Sequence, residues 1–512
     1  MSAPQPNRTA LSELRRLLPY VRRYKKLTVW GLVFITLSNV CSTTIPRVVG
    51  QTIDTLKVST FTTEDILWLI AQILLLTIGS GFFMFATRRT IILMSRFVEE
   101  DLRNNFVRSI KDQSQRFFHD RSTGSLLAHF SNDIGAVREF IGPAIMYTAN
   151  TITTFAFALS WMVSINGILT AAILIPVPLV ATLTYRLGRK IHENYKRVQE
   201  QYEHITTHAQ ETASGVRVVR AYVRGDHESE RFNDLSRDYY RKNMRLARIQ
   251  SLMMPGMTVL FNLSYIIVIG VGGYLVMNSM LTVGELTQFF IYLNQLLWPI
   301  AAIGWVTSMI QRGAASMGRL GALSEAPRDV TDAPDAVAHD VKGHVSFDHV
   351  TLSYDGERTV LEDLSVDVPA GTSLGIVGAV GSGKSSLVGL LPRLYDVSAG
   401  AVRIDGIDVR SMRLVDLRSS IAVVPQEAFL FSETILENIR FGRPTATDNE
   451  VLQAAQRAQL DADISGLPEG YDTIVGERGV TLSGGQKQRT SLARAIVSDP
   501  SILILDDALS AI

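Results

Sequence analysis

Six apolar runs of bilayer-spanning length punctuate the chain up to Ile310, at Leu27–Val49, Ile66–Ala86, Ile141–Val163, Ile168–Tyr185, Leu252–Val276 and Leu286–Ile310. A helix of about 20 apolar residues crosses the hydrocarbon core of a membrane, so each run predicts a transmembrane span. The second and fourth connections are too long for turns. They read as charged amphipathic helices that continue the spans into water, as at Glu99-Glu100-Asp101-Leu102-Arg103 and from Arg186 to Arg248. Each is broken once, at 119–127 and at 214–222, by a turn followed by apolar residues, which predicts a docking tip at the far end of a helical hairpin. Lysine and arginine sort by side: 7 in residues 1–26, 9 in 88–140 and 14 in 186–249, against Lys57 alone in 50–65 and none in 164–167 or 277–285. The three basic regions therefore face the cytoplasm. The basic stretch before Leu27 has no separate short apolar core and cleavage site, so no cleaved signal peptide is expected.

Past Ser324 the pattern changes. Residues 324–340 are rich in Glu, Asp, Ala and Pro, with Pro327 and Pro334 interrupting any helix, and read as a linker. Residues 343–350 and 360–366 alternate as strands do. Ser373–Val377 is a short apolar run read as a strand, Ser386–Leu391 reads as helix, and Ile502–Leu505 is an uninterrupted apolar run of the kind a parallel strand covered on both faces shows. The fold class expected is a multidomain membrane protein: a six-helix all-α transmembrane domain over 1–323, the linker, then an α/β P-loop nucleotide-binding domain over 341–512.

Composition agrees with the membrane half, at 46% hydrophobic residues and mean hydropathy +0.16. The net charge of +1, from 50 basic and 49 acidic residues, gives no overall attraction to nucleic acid. Cys41 is the single cysteine, which excludes an internal disulfide and a cysteine metal cluster. Within the spans the polar candidates are Asn39, Asn150, Asn262, Gln288, Asn294 and Gln295. Gln288, Tyr292 and Gln295 share one face of the sixth span; they either line a cavity with Trp298 or hydrogen-bond between helices. No charge sits mid-span in spans two to six, which suits an amphiphilic or uncharged-headed cargo better than a small ion.

The candidate chemistry centres on Gly378-Ala379-Val380-Gly381-Ser382-Gly383-Lys384-Ser385, which fits G-x-x-x-x-G-K-[ST]. Glycines let backbone N–H groups turn in around phosphate oxygens, the following helix adds its positive end, Lys384 adds a charge, and Ser385 offers a hydroxyl to Mg²⁺. Asp506 ends the Ile502–Leu505 strand and is expected to face Mg²⁺ across the same sheet edge as the loop. Leu482-Ser483-Gly484-Gly485-Gln486 opens a helix and forms a second backbone anion site. One nucleotide has one phosphate loop, so a second anion site implies a second copy of the domain. Tyr354, 24 residues before Gly378, has a ring able to stack on a purine, though a structural tyrosine reads equally well.

With these motifs in hand, nearly the whole chain resembles an ATP-binding cassette exporter, specifically a bacterial half-transporter of the multidrug and lipid type. The resemblance implies an inner-membrane protein with its nucleotide-binding domain in the cytoplasm. It implies two half-transporters paired head to tail, each ATP lying between one phosphate loop and the other chain's signature. Tyr354 is then the adenine-stacking residue, and Gly378 to Ser385 with Ser386 the phosphate loop. Gln426 in Val424-Pro425-Gln426 links Mg²⁺ to the membrane half, Ser483, Gly484, Gly485 and Gln486 form the signature, and Asp506 is the magnesium aspartate. Glu477 in Val475-Gly476-Glu477-Arg478-Gly479 resembles the cross-contact loop of exporters, and the breaks at 121–128 and 216–222 resemble coupling helices. The expected substrate is a hydrophobic or amphiphilic small molecule or a lipid, moved at the cost of ATP.

Two departures qualify this. The family's general base is a glutamate directly after the magnesium aspartate, and Asp507 stands there. Its carboxylate is withdrawn by roughly 1.5 Å, and misplacement on the order of 1 Å costs about 100-fold in rate. The expectation is a degenerate cis site that holds ATP and turns it over poorly, while a consensus signature serves a different partner chain; a homodimer is the alternative. The chain also ends at Ala508-Leu509-Ser510-Ala511-Ile512, before the inter-subunit aspartate and the γ-phosphate-sensing histidine that the resemblance leads one to expect. An incomplete chain, inactive or misfolded on its own, is therefore expected, with open strand edges beyond Asp506. A regulatory nucleotide-sensing membrane subunit, or an importer on the exporter fold, are the other readings of the same motifs.

Overall fold

The structure is a computed structural model and describes residues 10–57, 62–354, 358–476 and 482–507. Glu477 and the final residues 508–512 lie outside the described residues. The chain forms two compact units, Met1–Val107 with Leu127–Ser324, and Arg108–Leu126 with Glu325–Ile512.

The first unit is helical, and each of the six expected spans is helix. Among the described residues, four helical stretches are long and apolar enough to cross a membrane: Lys25–Leu56, Thr63–Lys111, Gly225–Met277 and Val283–Ser324. The third expected span is helix Ile145–Ile165, and the fourth begins as Gly167–Leu174 and resumes at Pro176 in a helix that runs to Ser214. The break follows from Pro176 and Pro178, since proline lacks the N–H that would continue the ladder. On Thr63–Thr87 the side chains of Trp68, Leu74, Leu75, Ile78, Phe82 and Phe85 are exposed. In water such a face would associate or aggregate; here it is the surface a bilayer covers.

Polar side chains in the spans join helices. Asn39 Nδ2 donates to Asn150 Oδ1 at 3.1 Å and to Thr153 Oγ1 at 2.6 Å. Tyr292 is fully buried and donates to the Thr43 carbonyl at 3.0 Å, and Gln295 Nε2 donates to the Ser42 carbonyl at 3.1 Å. Gln288 lies against Gly50, where an added Cβ would meet it at 2.2 Å. The face Gln288, Tyr292, Gln295 is therefore glue between the first and sixth spans. Of the two readings of this face, these contacts fit bonding between helices, because an amide in hydrocarbon is satisfied most directly by a neighbouring helix's backbone. Asn262, Asn294 and Trp298 remain exposed. At the outer end of the same pair, Asp54 accepts from Thr282 Oγ1 at 2.6 Å and from the Gly284 amide at 2.8 Å. The helices approach so closely that a Cβ on Gly284 would lie 2.1 Å from the Gly50 carbonyl.

The second unit is α/β. Strand β1 (Val345–Ser353) pairs antiparallel with β2 (Thr359–Val368) and with β3 (Ala399–Ile404), which pairs with β4 (Ile407–Asp408), in the order β2-β1-β3-β4. Strands β5 (Ile421–Val424) and β6 (Ile502–Leu505) form a separate parallel pair, Ile421 opposite Ile502 and Val424 opposite Leu505. Val350, Leu352, Leu390, Ile404, Met412 and Leu417 centre one apolar core. A second core, around Leu430, Ile439, Val451, Leu460 and Val475, packs under helices Ile435–Arg440, Asp448–Arg457 and Gly484–Val497. The expected strand Ser373–Val377 is not in either sheet, and its side chains are exposed. An apolar run becomes a strand only where a neighbour offers it a ladder, and among the described residues β5 and β6 pair only with each other.

Residues 325–340, linker-like in composition, are ordered in this second unit. Val337 bridges to Met412, the Leu414 amide donates to Asp332 Oδ1 at 2.7 Å, and Val330 is buried.

Candidate nucleotide site

The phosphate loop leads from Gly378 into the helix Lys384–Gly389. Gly381 and Gly383 have φ of 81° and 89°, a region glycine enters without steric cost. Gly383 also sits so close to β2 that a Cβ would lie 2.9 Å from Leu361 Cδ2. Residues 378–382 are exposed, leaving the loop open to solvent. Lys384 Nζ donates to the carbonyls of Gly378 and Ala379 at 2.8 and 2.9 Å, folded over the rim of its own loop. A phosphate oxygen offers the same ammonium a stronger, charge-assisted partner.

Tyr354, at the end of β1, donates through its hydroxyl to Ser386 Oγ at 2.8 Å and meets Tyr395 edge to face at 4.8 Å. A residue 24 positions upstream in sequence is thus placed beside the first turn of the loop's helix.

The other candidates gather at the β5–β6 pair. The Asp506 amide donates to the Val424 carbonyl at 3.0 Å, so the strand ladder sets Asp506 and Asp507 beside the segment Val424-Pro425-Gln426. Gln426 Nε2 donates to Asp507 Oδ2 at 3.2 Å, and Asp507 adopts φ 49°. The expectation that loop 378–385 and Asp506 share one sheet edge is not met, since the loop is carried by no strand of the β5–β6 pair. Ser385, Gln426 and Asp506 nevertheless offer oxygen donors only, the chemistry a hard divalent cation such as Mg²⁺ takes.

Ser483 caps the helix Gly484–Val497. Its Oγ accepts from the Gln486 amide at 3.3 Å while Gln486 Oε1 accepts from the Ser483 amide at 2.9 Å, a reciprocal capping box. The helix start and the Gln426 segment share a groove of about 480 Å³ lined by Gln426, Glu427, Ala428, Phe429, Gly484, Lys487 and Gln488.

Sequence reasoning missed the support beneath this groove. Arg494 donates to the carbonyls of Asn438 and Phe429 at 2.8 and 2.9 Å, and its guanidinium lies over the rings of Phe431 and Phe441. Burial pushes it down to about 10, still charged at neutral pH. The only sequence signal was an arginine on the inward face of the helix after the signature. Of the tips, Thr123–Ala128 and Val216–Ala221 are each a short helix, and the second ends in exposed Tyr222 and Val223.

Residues 28–300 match the family "ABC transporter transmembrane region" and residues 361–510 the family "ABC transporter". The chain is 36% identical over 509 residues to the Bacillus subtilis "Probable multidrug resistance ABC transporter ATP-binding/permease protein YheI", covering 98% of this chain and 86% of that protein. It is 34% identical to the Escherichia coli "Multidrug resistance-like ATP-binding protein MdlA", over 96% of this chain and 84% of the relative. Among solved structures it is similar, with a TM-score of 0.76 and 27% identity over 96% of this chain and 86% of the other, to a bacterial Atm1-family ABC exporter with ATP bound.

Proposed function

The chain belongs to the ABC transporter family, and on that footing we propose that it is one half of a dimeric exporter that moves amphiphilic or drug-like molecules across the inner membrane at the expense of ATP. We further propose that its own ATP site hydrolyses weakly and that its signature completes the competent site of a different partner chain.

The observation that carries the second part is the carboxylate at 507. In this reading the backbone amides of 378–385 and Lys384 hold the phosphates, and Tyr354 takes the adenine. Ser385, Gln426 and Asp506 would hold Mg²⁺, which when bound neutralises phosphate charge during transfer. Asp507, one methylene shorter than the family's glutamate and already accepting from Gln426 Nε2, is poorly placed to take a proton from water. Ser483 and Gly485, at a well-capped helix start, offer hydroxyl and amide donors to the partner's bound nucleotide.

Closure of two cassettes around ATP then drives the tips at 121–128 and 216–222 and reorients the membrane cavity. The deciding experiment reconstitutes the full chain with and without a candidate second half-transporter. Accumulation of an amphiphilic dye in inside-out vesicles, dependent on ATP and on both chains, is expected. A homodimer with brisk ATPase activity overturns the degenerate-site reading, and uptake in right-side-out vesicles overturns export.

A further inference from the structure

The exit of the phosphate-loop helix and the base of the first tip are joined by a short strap in the second unit. On one side, Ser114 Oγ donates to Asp329 Oδ2 at 2.9 Å, and Arg328 pairs with Asp112 at 3.2 Å. On the other, Arg393 Nη1 donates to the Thr331 carbonyl at 3.0 Å, while its Nε and Nη2 fork onto Asp396 at 2.7 and 3.0 Å. Between the two anchors lies one residue, the buried Val330. Two residues of chain reach about 7 Å at full extension, so the strap has little slack with which to absorb movement.

Arg393 is unusual for an arginine. It is 6% exposed and holds φ 53°, a left-handed conformation that a non-glycine residue keeps only where its surroundings enforce it. It closes the turn after the loop's helix, its amide donating to the Leu390 carbonyl at 3.1 Å and the next amide to Gly389 at 3.0 Å. Arg418 clasps the Pro392 and Arg393 carbonyls at 3.0 and 3.1 Å. The nucleotide chemistry described above uses neither arginine.

We propose that Arg393 is a positioning residue that fastens the strap to the exit of the phosphate-loop helix, so that a shift of that helix on nucleotide binding is delivered within the same chain to Ser114 at the base of the tip at 121–128. The route is a continuous chain of side-chain and backbone bonds, and a coupling measurement is what establishes it. What the tip then drives rests on the exporter reading; the nucleotide-dependent response of residues 108–126 does not.

The test measures hydrogen exchange over residues 108–126 with and without MgATP, in the full chain and in Arg393→Gln and Ser114→Ala, alongside ATP affinity. Expected is an ATP-dependent change of exchange in the parent that falls about fivefold or more in both variants, with ATP affinity within about twofold. A response that persists in both variants overturns the proposal, as does a parallel loss of ATP binding in Arg393→Gln, which marks a merely structural role. Should Arg393→Gln not fold, Ser114→Ala and a disulfide between Ser114→Cys and Asp329→Cys, in a Cys41→Ser background, decide. The linked strap is expected to keep the response, and losing it on oxidation overturns the proposal. A parent that responds to ATP yet moves no cargo defeats the exporter reading alone; a parent whose residues 108–126 do not respond defeats this one.

Discussion

Gln426 Nε2 donates to Asp507 Oδ2 at 3.2 Å, across the ends of the parallel strands β5 and β6. That bond occupies an oxygen that would otherwise face water, and the carboxylate is set back by a side chain one methylene shorter than glutamate. Asp507→Glu is therefore expected to raise phosphate release at the chain's own site by up to about 100-fold. Single-site turnover with the partner's site disabled is the measurement, and an unchanged rate removes Asp507 as the limiting feature.

Tyr354 combines an aromatic face with a hydroxyl bonded to Ser386. Tyr354→Phe retains the ring and is expected to bind ATP nearly as well as the parent. On the proposed adenine-stacking role, Tyr354→Ala removes a contact worth about 1 kcal/mol and is expected to weaken affinity by about five- to tenfold. Titration with a fluorescent nucleotide distinguishes the two.

Ser483 caps its helix and, in the proposed dimer, also faces the partner's nucleotide; substitution separates the two. Ser483→Ala removes a helix cap and is expected to cost about 1 kcal/mol of stability. Ser483→Asp keeps the cap but sets a negative charge where the partner's phosphate would come. It is expected to unfold at the parent temperature yet abolish ATP hydrolysis by the pair.

Asp405 organises the entry to β1. Burial opposes its ionisation, but the amides of Lys342 and His344, at 2.6 and 2.9 Å, and the His339 ring outweigh that and hold its pKa below the ordinary 3.8. A depressed folded-state pKa gives stability that is full above the unfolded value and lost as pH falls through the folded one. The stability gap between the parent and Asp405→Asn is thus expected at neutral pH and to shrink as pH drops below about 4. Thermal unfolding across that range checks it.

Tyr292 separates packing from cargo recognition. Tyr292→Phe loses the hydrogen bond to the Thr43 carbonyl and is expected to cost about 0.5–2 kcal/mol of stability while leaving the spectrum of transported compounds unchanged. A changed spectrum would restore the cavity reading.

The spans, the helix that follows loop 378–385, the strand before Asp506 and the capped helix start at Ser483 were legible in the sequence, because each depends on local periodicity or on residues close together in the chain. Pairing was not legible. Whether Ser373–Val377 becomes a strand depends on which neighbour supplies its hydrogen bonds, and whether Gln288 and Tyr292 face cargo or another helix depends on what lies opposite. The same holds for Arg393, whose ordinary position in sequence gives no hint of burial, and for the contacts of Asp329 and Thr331 within the segment 324–340 that composition marks as a linker. The sequence by itself determined which groups this protein has for holding ATP and sitting in a membrane. Only the tertiary structure decided which of them touch, because long-range contacts are set by the geometry of the whole unit rather than by any stretch of it.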